Sequence, residues 1–405
     1  MRAEQLRLIP YLLKWAAISA VVGAMAGTAS ALLLASLEWA TATREAHRWI
    51  IALLPVAGLL VGLLYKYLGT SVEAGNNLLL DEIHNPKAVI PFRMTPLVLL
   101  GTFMSHLFGG SAGREGTALQ TGASLADQLT RPLRLGDQDR RILLMAGISG
   151  GFASVFGTPL AGAVFGLEVL SIGRLRYDAI LPCLLSAIIA DRVTILWGIH
   201  HTVYRIPFVP KTDVVGVIVA ILAGTAFGVT GMLFAAATHS ISGYGRKLIH
   251  YAPLRPVLGG IIVSAAVFAI GTTRYIGLGI PTIVAAFAGP LPPWDFAAKF
   301  AFTVVTLGLG FKGGEVTPLF FIGATLGNAL GYFLPLPTPL LAGMGFVAVF
   351  AGAANTPIAS TLMAMELFGS EAGVYAGIAC VVSYVFSGHA GIYQAQRIGQ
   401  GKFGV

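Results

Sequence analysis

From Val316 to Met365 the chain runs 50 residues without an Asp, Glu, Lys or Arg. A segment so long and so bare of charge has nothing to hold it in water. A membrane helix takes about 20 residues to cross a bilayer, so this stretch is long enough for two crossings. It is broken by Pro335, Pro337, Pro339 and Pro357. Trp15–Leu37, Val214–Gly245, Pro256–Thr273 and Ala372–Gln396 are also free of charge, whereas apolar pieces such as Pro159–Leu170 are too short to cross alone. Interrupted backbone survives at membrane depth only where protein buries it or where it lines a cavity. The expected fold class is therefore an all-α membrane protein with many tilted and broken helices.

Composition excludes the alternatives. Charged residues are 11% of the chain and hydrophobic residues 56%, against about 25% charged in soluble domains. Soluble enzymes, secreted domains and disordered chains fall away. The net charge of +8 reflects 18 acids against 26 Lys and Arg. The basic residues sit in connections, not along a stripe with stacking aromatics, so no nucleic-acid partner is expected. Cys183 and Cys380 lie inside apolar runs and read as packing residues; no metal-ligand spacing and no need for a cofactor is visible. Trp15–Leu37 spans 23 residues, too long for the core of a signal peptide, and reads as the first membrane helix, preceded by Arg2, Arg7 and Lys14. Arg131, Arg134, Arg140 and Arg141 fall in one connection, Arg174 and Arg176 in another, and Arg246, Lys247 and Arg255 in a third. The positive-inside rule puts these in the cytoplasm and His200–Lys211 outside. The five Trp (15, 39, 49, 197 and 294) read as interfacial anchors, and Asp191-Arg192 as a local pair or a helix end.

The two halves, 1–200 and 201–405, resemble each other. Ala146-Gly147 through Thr158-Pro159-Leu160-Ala161 to Glu168 matches Met344-Gly345 through Thr356-Pro357-Ile358-Ala359 to Glu366, at an offset of 198. Gly122-Ala123-Ser124-Leu125 and Asp127 match Gly323-Ala324-Thr325-Leu326 and Asn328 at an offset of 201, and Gly75 with Gly277 gives a thinner third pair. A duplicated membrane unit with helices interrupted at matching places is the pattern of secondary transporters. Each half reads as one membrane repeat of a single integral domain, with nothing that reads as a soluble regulatory domain.

Four constellations carry chemistry. Gly113-Arg114-Glu115-Gly116-Thr117 opens an apolar helix after a glycine-rich turn. Free N–H groups and the helix dipole make such a start an anion site. A carboxylate there can occupy the site itself and leave when protonated; equally, Glu115 can be a capping residue paired with Arg114. Gly313-Gly314-Glu315-Val316-Thr317-Pro318 is the repeat counterpart. Its Glu315 is an intramembrane acid and so a functional candidate, or else a partner of Lys312. Gly75-Asn76-Asn77 precedes a short apolar piece; its amides can donate to an anion or simply cap a helix. Tyr393 can donate its phenol to an anion or belong to an interfacial belt.

These elements, in this order and spacing from about Ile9 to Tyr393, resemble the CLC family of chloride channels and anion/proton antiporters. The resemblance implies an inverted repeat of two halves, a homodimer with one pore per subunit, and an anion site at converging helix N-termini. It puts Glu115 at the gating glutamate, flanked by Gly113, Arg114, Gly116 and Thr117. It puts Glu315, Val316 and Thr317 in the second anion-binding segment, and Tyr393 at the central site. The departures are specific. The chloride-type Gly-Ser-Gly-Ile-Pro is replaced by Gly75-Asn76-Asn77-Leu78-Leu79, and Thr117 stands where Pro is usual. The inner proton glutamate of chloride antiporters falls on Val169, while its neighbour Glu168 has a twin in Glu366 and reads as a structural feature of the repeat.

This pattern resembles the bacterial fluoride-exporting branch. It implies a fluoride/proton antiporter of the bacterial inner membrane, embedded in lipid, with Glu115 and Glu315 handling protons. Asn76, Asn77, Gly113, Arg114, Gly116, Thr117, Val316, Thr317 and Tyr393 would line the anion site. A chloride or nitrate antiporter and a passive anion channel on the same fold are the alternatives. An enzyme is not expected: His200-His201 is the only adjacent His pair, and no His-x-x-x-His or Ser/His/Asp pattern lies near the glycine-rich segments.

Overall fold

A computed structural model describes residues 2–403, with side chains from Leu8 onward. Sixteen α-helices account for nearly all regular structure among the described residues. The first half holds α1 (Arg2–Ala46), α2 (Leu54–Leu68), α3 (Asn76–His84), α4 (Met94–Leu107), α5 (Glu115–Asp127), α6 (Asp137–Phe156), α7 (Pro159–Glu168) and α8 (Ile180–Leu196). The second holds α9 (Val214–Leu248), α10 (Leu254–Ile270), α11 (Ile280–Ala288), α12 (Asp295–Gly308), α13 (Val316–Leu330), α14 (Thr338–Ala354), α15 (Pro357–Phe368) and α16 (Gly373–Phe386). Each helix of the first half thus has a counterpart eight places later. Two short parallel strands, β1 (Ser171–Ile172) and β2 (Arg397–Ile398), tie the C-terminal segment back to the first half.

The apolar stretches divide as their prolines dictate. The 50-residue run becomes three helices, not two. Pro337 is the N-cap of α14, and Pro357 starts α15, where its missing N–H costs nothing. Pro159 does the same for α7, a helix of ten residues. The first helix is much longer than Trp15–Leu37. It begins at Arg2, so Lys14 lies inside it, paired with Asp139 at 2.5 Å. The side chains of Arg2 and Arg7 lie outside the described residues. Trp15 is 1% exposed; it belongs to the core, not to an interfacial belt, whereas Trp39, Trp49, Trp197 and Trp294 are exposed. Asp191 and Arg192 form a local pair within α8, with Nε to Oδ2 at 3.3 Å.

The repeat is visible in the bonds. Glu168, at the end of α7, accepts from Ile358 N (3.0 Å) and Ala359 N (2.8 Å) at the start of α15. Glu366, in α15, accepts from Leu160 N (2.8 Å) and Ala161 N (2.8 Å) at the start of α7. All three residues are displaced by 198. The exchange is reciprocal, as a two-fold operation swapping the halves requires. Each carboxylate satisfies two orphan N–H groups and complements a helix dipole. Asp127 and Asn328 match in the same way: one accepts from Ile90 N at 2.8 Å, the other from Leu291 N at 3.0 Å. Gly75 and Gly277 share a left-handed φ, +59° and +57°, which a side chain would strain.

Symmetry makes a prediction. Glu168→Ala and Glu366→Ala each orphan two helix-start N–H groups, so each should cost about 1–3 kcal/mol. Thermal unfolding in detergent should show both variants shifted down by similar amounts. A much larger loss in Glu168→Ala than in Glu366→Ala would mark Glu168 as more than a cap.

Candidate functional site

The site is built where the halves meet head to head. Gly113 N donates to Gly314 O at 2.6 Å and Gly314 N to Gly113 O at 2.8 Å, an antiparallel bridge between residues 201 apart. Equivalent strands of chain running in opposite directions place the N-termini of α5 and α13 together. The approach is too close for side chains: a Cβ on Gly113 would lie 2.6 Å from a Glu115 carboxylate oxygen and 2.9 Å from Gly314 O.

Glu115, the first residue of α5, is fully buried in this junction. Its Oε2 accepts from Arg114 N (3.0 Å) and from Thr317 N (3.0 Å) in the first turn of α13. The Thr317 hydroxyl donates to Oε1. The Arg114 guanidinium stands 3.7 Å from Oε1 and reaches Val155 O at 3.4 Å. The carboxylate therefore does cap its own helix start beside Arg114, but it also spans the repeats. Chemically it is an anion held by donors from two helix N-termini.

A cavity of about 170 Å³ lies beside this junction, with Glu73, Asn76, Gln120, Lys312, Glu315 and Tyr393 in its wall. Tyr393 is 4% exposed and its hydroxyl has no partner; Asn76 Oδ1 has none either. Tyr393 is thus not an interfacial residue, and Asn76 is not a cap, because Gly75 is the N-cap of α3 and no side chain bonds there. A Cβ on Gly116 would come within 3.0 Å of Asn76 Nδ2, which puts that amide against the start of α5. The unpaired Tyr393 hydroxyl is a buried donor facing a polar cavity, which is what an anion site needs. Glu315 makes no ion pair or hydrogen bond with its side chain among the described residues, so its pairing with Lys312 is not found. Lys312 instead lies over the Tyr65 ring, 4.0 Å from the centroid.

The remaining candidates are placed as follows. Asn77 lines the cavity and accepts from Ala395 N at 3.0 Å, tying α3 to the segment that carries Tyr393. Thr117 shares a 2.6 Å hydrogen bond with Thr102 in α4. Val316 is buried. Val169, where chloride antiporters would carry an acid, lines a small apolar space with Leu79, Phe165 and one edge of Tyr393. Three further wall residues, Glu73, Gln120 and Lys312, carry no local motif that marks them as site residues in the sequence. A larger apolar groove of about 730 Å³ between α1 and α4 lies apart from all these groups.

Residues 57–388 match the sequence profile of the family described as voltage gated chloride channel. A protein of Pseudomonas syringae pv. tomato named chloride/fluoride channel protein is 59% identical over 99% of this chain and 90% of its own length. Among solved structures, a CLC-type fluoride/proton antiporter superposes with a TM-score of 0.93 at 33% identity, over 96% of this chain and 98% of that one. A slow cyanobacterial chloride/proton antiporter shares the fold, with a TM-score of 0.82 at 19% identity over 94% and 96% of the two chains.

Proposed function

The chain belongs to the voltage gated chloride channel family, and on that premise we propose that it is a CLC-type fluoride/proton antiporter exporting fluoride from the cytoplasm. One observation carries this. The donors best suited to a small anion, Arg114 N, Thr317 N and the Thr317 hydroxyl, are already taken by the Glu115 carboxylate. Fluoride can use them only if that carboxylate leaves. Protonation makes it neutral and weakens its hold on N–H donors. Anion and proton binding are then linked at one place, which is the requirement for coupling.

Fluoride binds its water strongly, so a site must offer comparable donors. Tyr393 holds an unused hydroxyl in the adjoining cavity, the Asn76 amide nitrogen stands against the start of α5, and Glu315, unpaired among the described residues, is the second proton-handling group. Inward proton flow drives fluoride outward. We read the exposed apolar side chains of α7, α8, α15 and α16, among them Leu160, Ile188, Ile358 and Val381, as the face of a homodimer. Each subunit keeps its own pore, in the inner membrane of a bacterium. A passive channel is favoured by the name of the Pseudomonas relative and by the apolar Val169.

The test is efflux from liposomes loaded with fluoride or with chloride, followed by ion-selective electrodes with an internal pH dye. Fast fluoride efflux with proton uptake and little chloride efflux is expected. Chloride efflux as fast as fluoride would reject fluoride specificity, and fluoride efflux without proton movement would leave the channel. Tyr393→Phe removes one unspent donor and should weaken fluoride binding about tenfold, measured by calorimetry on purified protein.

A further inference from the structure

We propose that Lys312 is the residue that lets the cavity accept an anion. The idea rests on the transport reading above and concerns how an anion is admitted, not which anion it is. Lys312 shares the cavity wall with Asn76, Glu315 and Tyr393. Its ammonium has no carboxylate within 4.0 Å and no hydrogen-bond acceptor among the described residues. Its one close partner is the face of Tyr65, 4.0 Å away. A π face orients an ammonium without cancelling its charge, because the ring is neutral. Lys312 therefore keeps its charge in the cavity wall, where it stands against the acids Glu73 and Glu315.

The side chain is held in place by its surroundings. Gly101 of α4 lies against its stem: a Cβ there would stand 3.0 Å from Lys312 Cβ and 3.5 Å from the Tyr65 ring. The absence of a side chain at position 101 leaves the passage through which the lysine reaches the ring.

Charge balance gives the reason for the placement. The charged groups in the cavity wall are Glu73, Lys312 and Glu315. With all three ionised the wall carries one net negative charge, and with Glu315 protonated it carries none. Removing Lys312 makes those states doubly and singly negative, so an anion is repelled in both. Lys312 cancels exposed Glu73 and hands the decision to Glu315: the cavity accepts an anion once Glu315 has taken a proton. Focused charge in a low-dielectric cleft changes local ion concentration by roughly tenfold or more.

The experiment is a set of concentration series on reconstituted full-length protein, with anion varied on the Glu73 side. Lys312→Met keeps the stem and should raise KM about tenfold with the maximal rate nearly unchanged. Lys312→Arg should stay close to wild type. Glu73→Gln, on an exposed turn that tolerates the change, should lower KM. Added salt should shrink both shifts. The idea is overturned if Lys312→Met and Lys312→Arg lose rate alike with KM unmoved, or if Glu73→Gln leaves KM unchanged. If Lys312→Met does not fold, Glu73→Gln alone decides by the same criterion. Should wild type carry chloride and no fluoride, the specificity proposed above fails, and the same series in chloride still tests Lys312.

Discussion

Replacing Glu115 by Gln is expected to abolish proton-coupled transport. Gln has the shape of a protonated glutamate and cannot exchange a proton. Its amide oxygen can still accept from Thr317 N, so the helix junction should survive. Two things change. The anion no longer competes with a negative charge for the donors at α5 and α13, and no proton can be delivered by this group. Proton flux accompanying fluoride should fall by about 100-fold or more, the scale on which a positioned proton-transfer group acts. Fluoride binding by calorimetry should be unchanged or tighter, and residual fluoride movement should only run downhill. A Glu115→Gln variant that still couples protons to uphill fluoride would remove Glu115 from the mechanism.

The second large effect concerns stability. Arg140, at the start of α6, donates from Nε and a terminal nitrogen to both oxygens of Asp127, each at 2.8 Å. It also donates to Glu82 at 2.9 Å and to Ala88 O at 2.6 Å. Asp127 ends α5 and Glu82 lies in the last turns of α3, so one guanidinium joins the far ends of two helices whose N-termini face the site. Arg140→Leu strands two buried carboxylates, which should cost about 3–5 kcal/mol. The second repeat shows the remedy. At the offsets of 198 for α6, 201 for α5 and 202 for α3, the three positions hold Thr338, Asn328 and Val284, with no charge among them. Asn328 still accepts the backbone N–H of Leu291, as Asp127 accepts that of Ile90. The triple variant Arg140→Leu, Asp127→Asn, Glu82→Val should therefore recover most of the loss, because an uncharged set replaces an ion cluster at little net change. Thermal unfolding in detergent of the single and triple variants checks this. Equal loss in both would mean that the charges themselves hold the helices.

Much of this was legible in sequence because it is written locally. Charge-free stretches with prolines at their breaks give broken membrane helices, and the glycine-rich turns mark the two helix starts that meet. The twin Glu168 and Glu366 mark a repeat feature in the sequence, and in the fold they are reciprocal caps. What stayed hidden depends on distant partners. The Thr317 hydroxyl meets a carboxylate 202 residues away. Lys312 turns to Tyr65 across the fold, although Glu315 is three residues on. Trp15 looked like an anchor at the edge of a span, but the first helix continues well past it on both sides, leaving the indole in the core. Spacing along the chain says which groups exist; only packing says which way each one faces.

The most direct test is uphill transport by the wild-type protein. Liposomes carry equal fluoride on both sides, the membrane potential is clamped at zero, and a proton gradient is imposed. The expected result is net fluoride movement out of the compartment into which protons flow, against the fluoride gradient that builds, with Glu115→Gln inert. No net fluoride movement under that gradient, from protein that passes fluoride rapidly downhill, would contradict antiport and leave a channel.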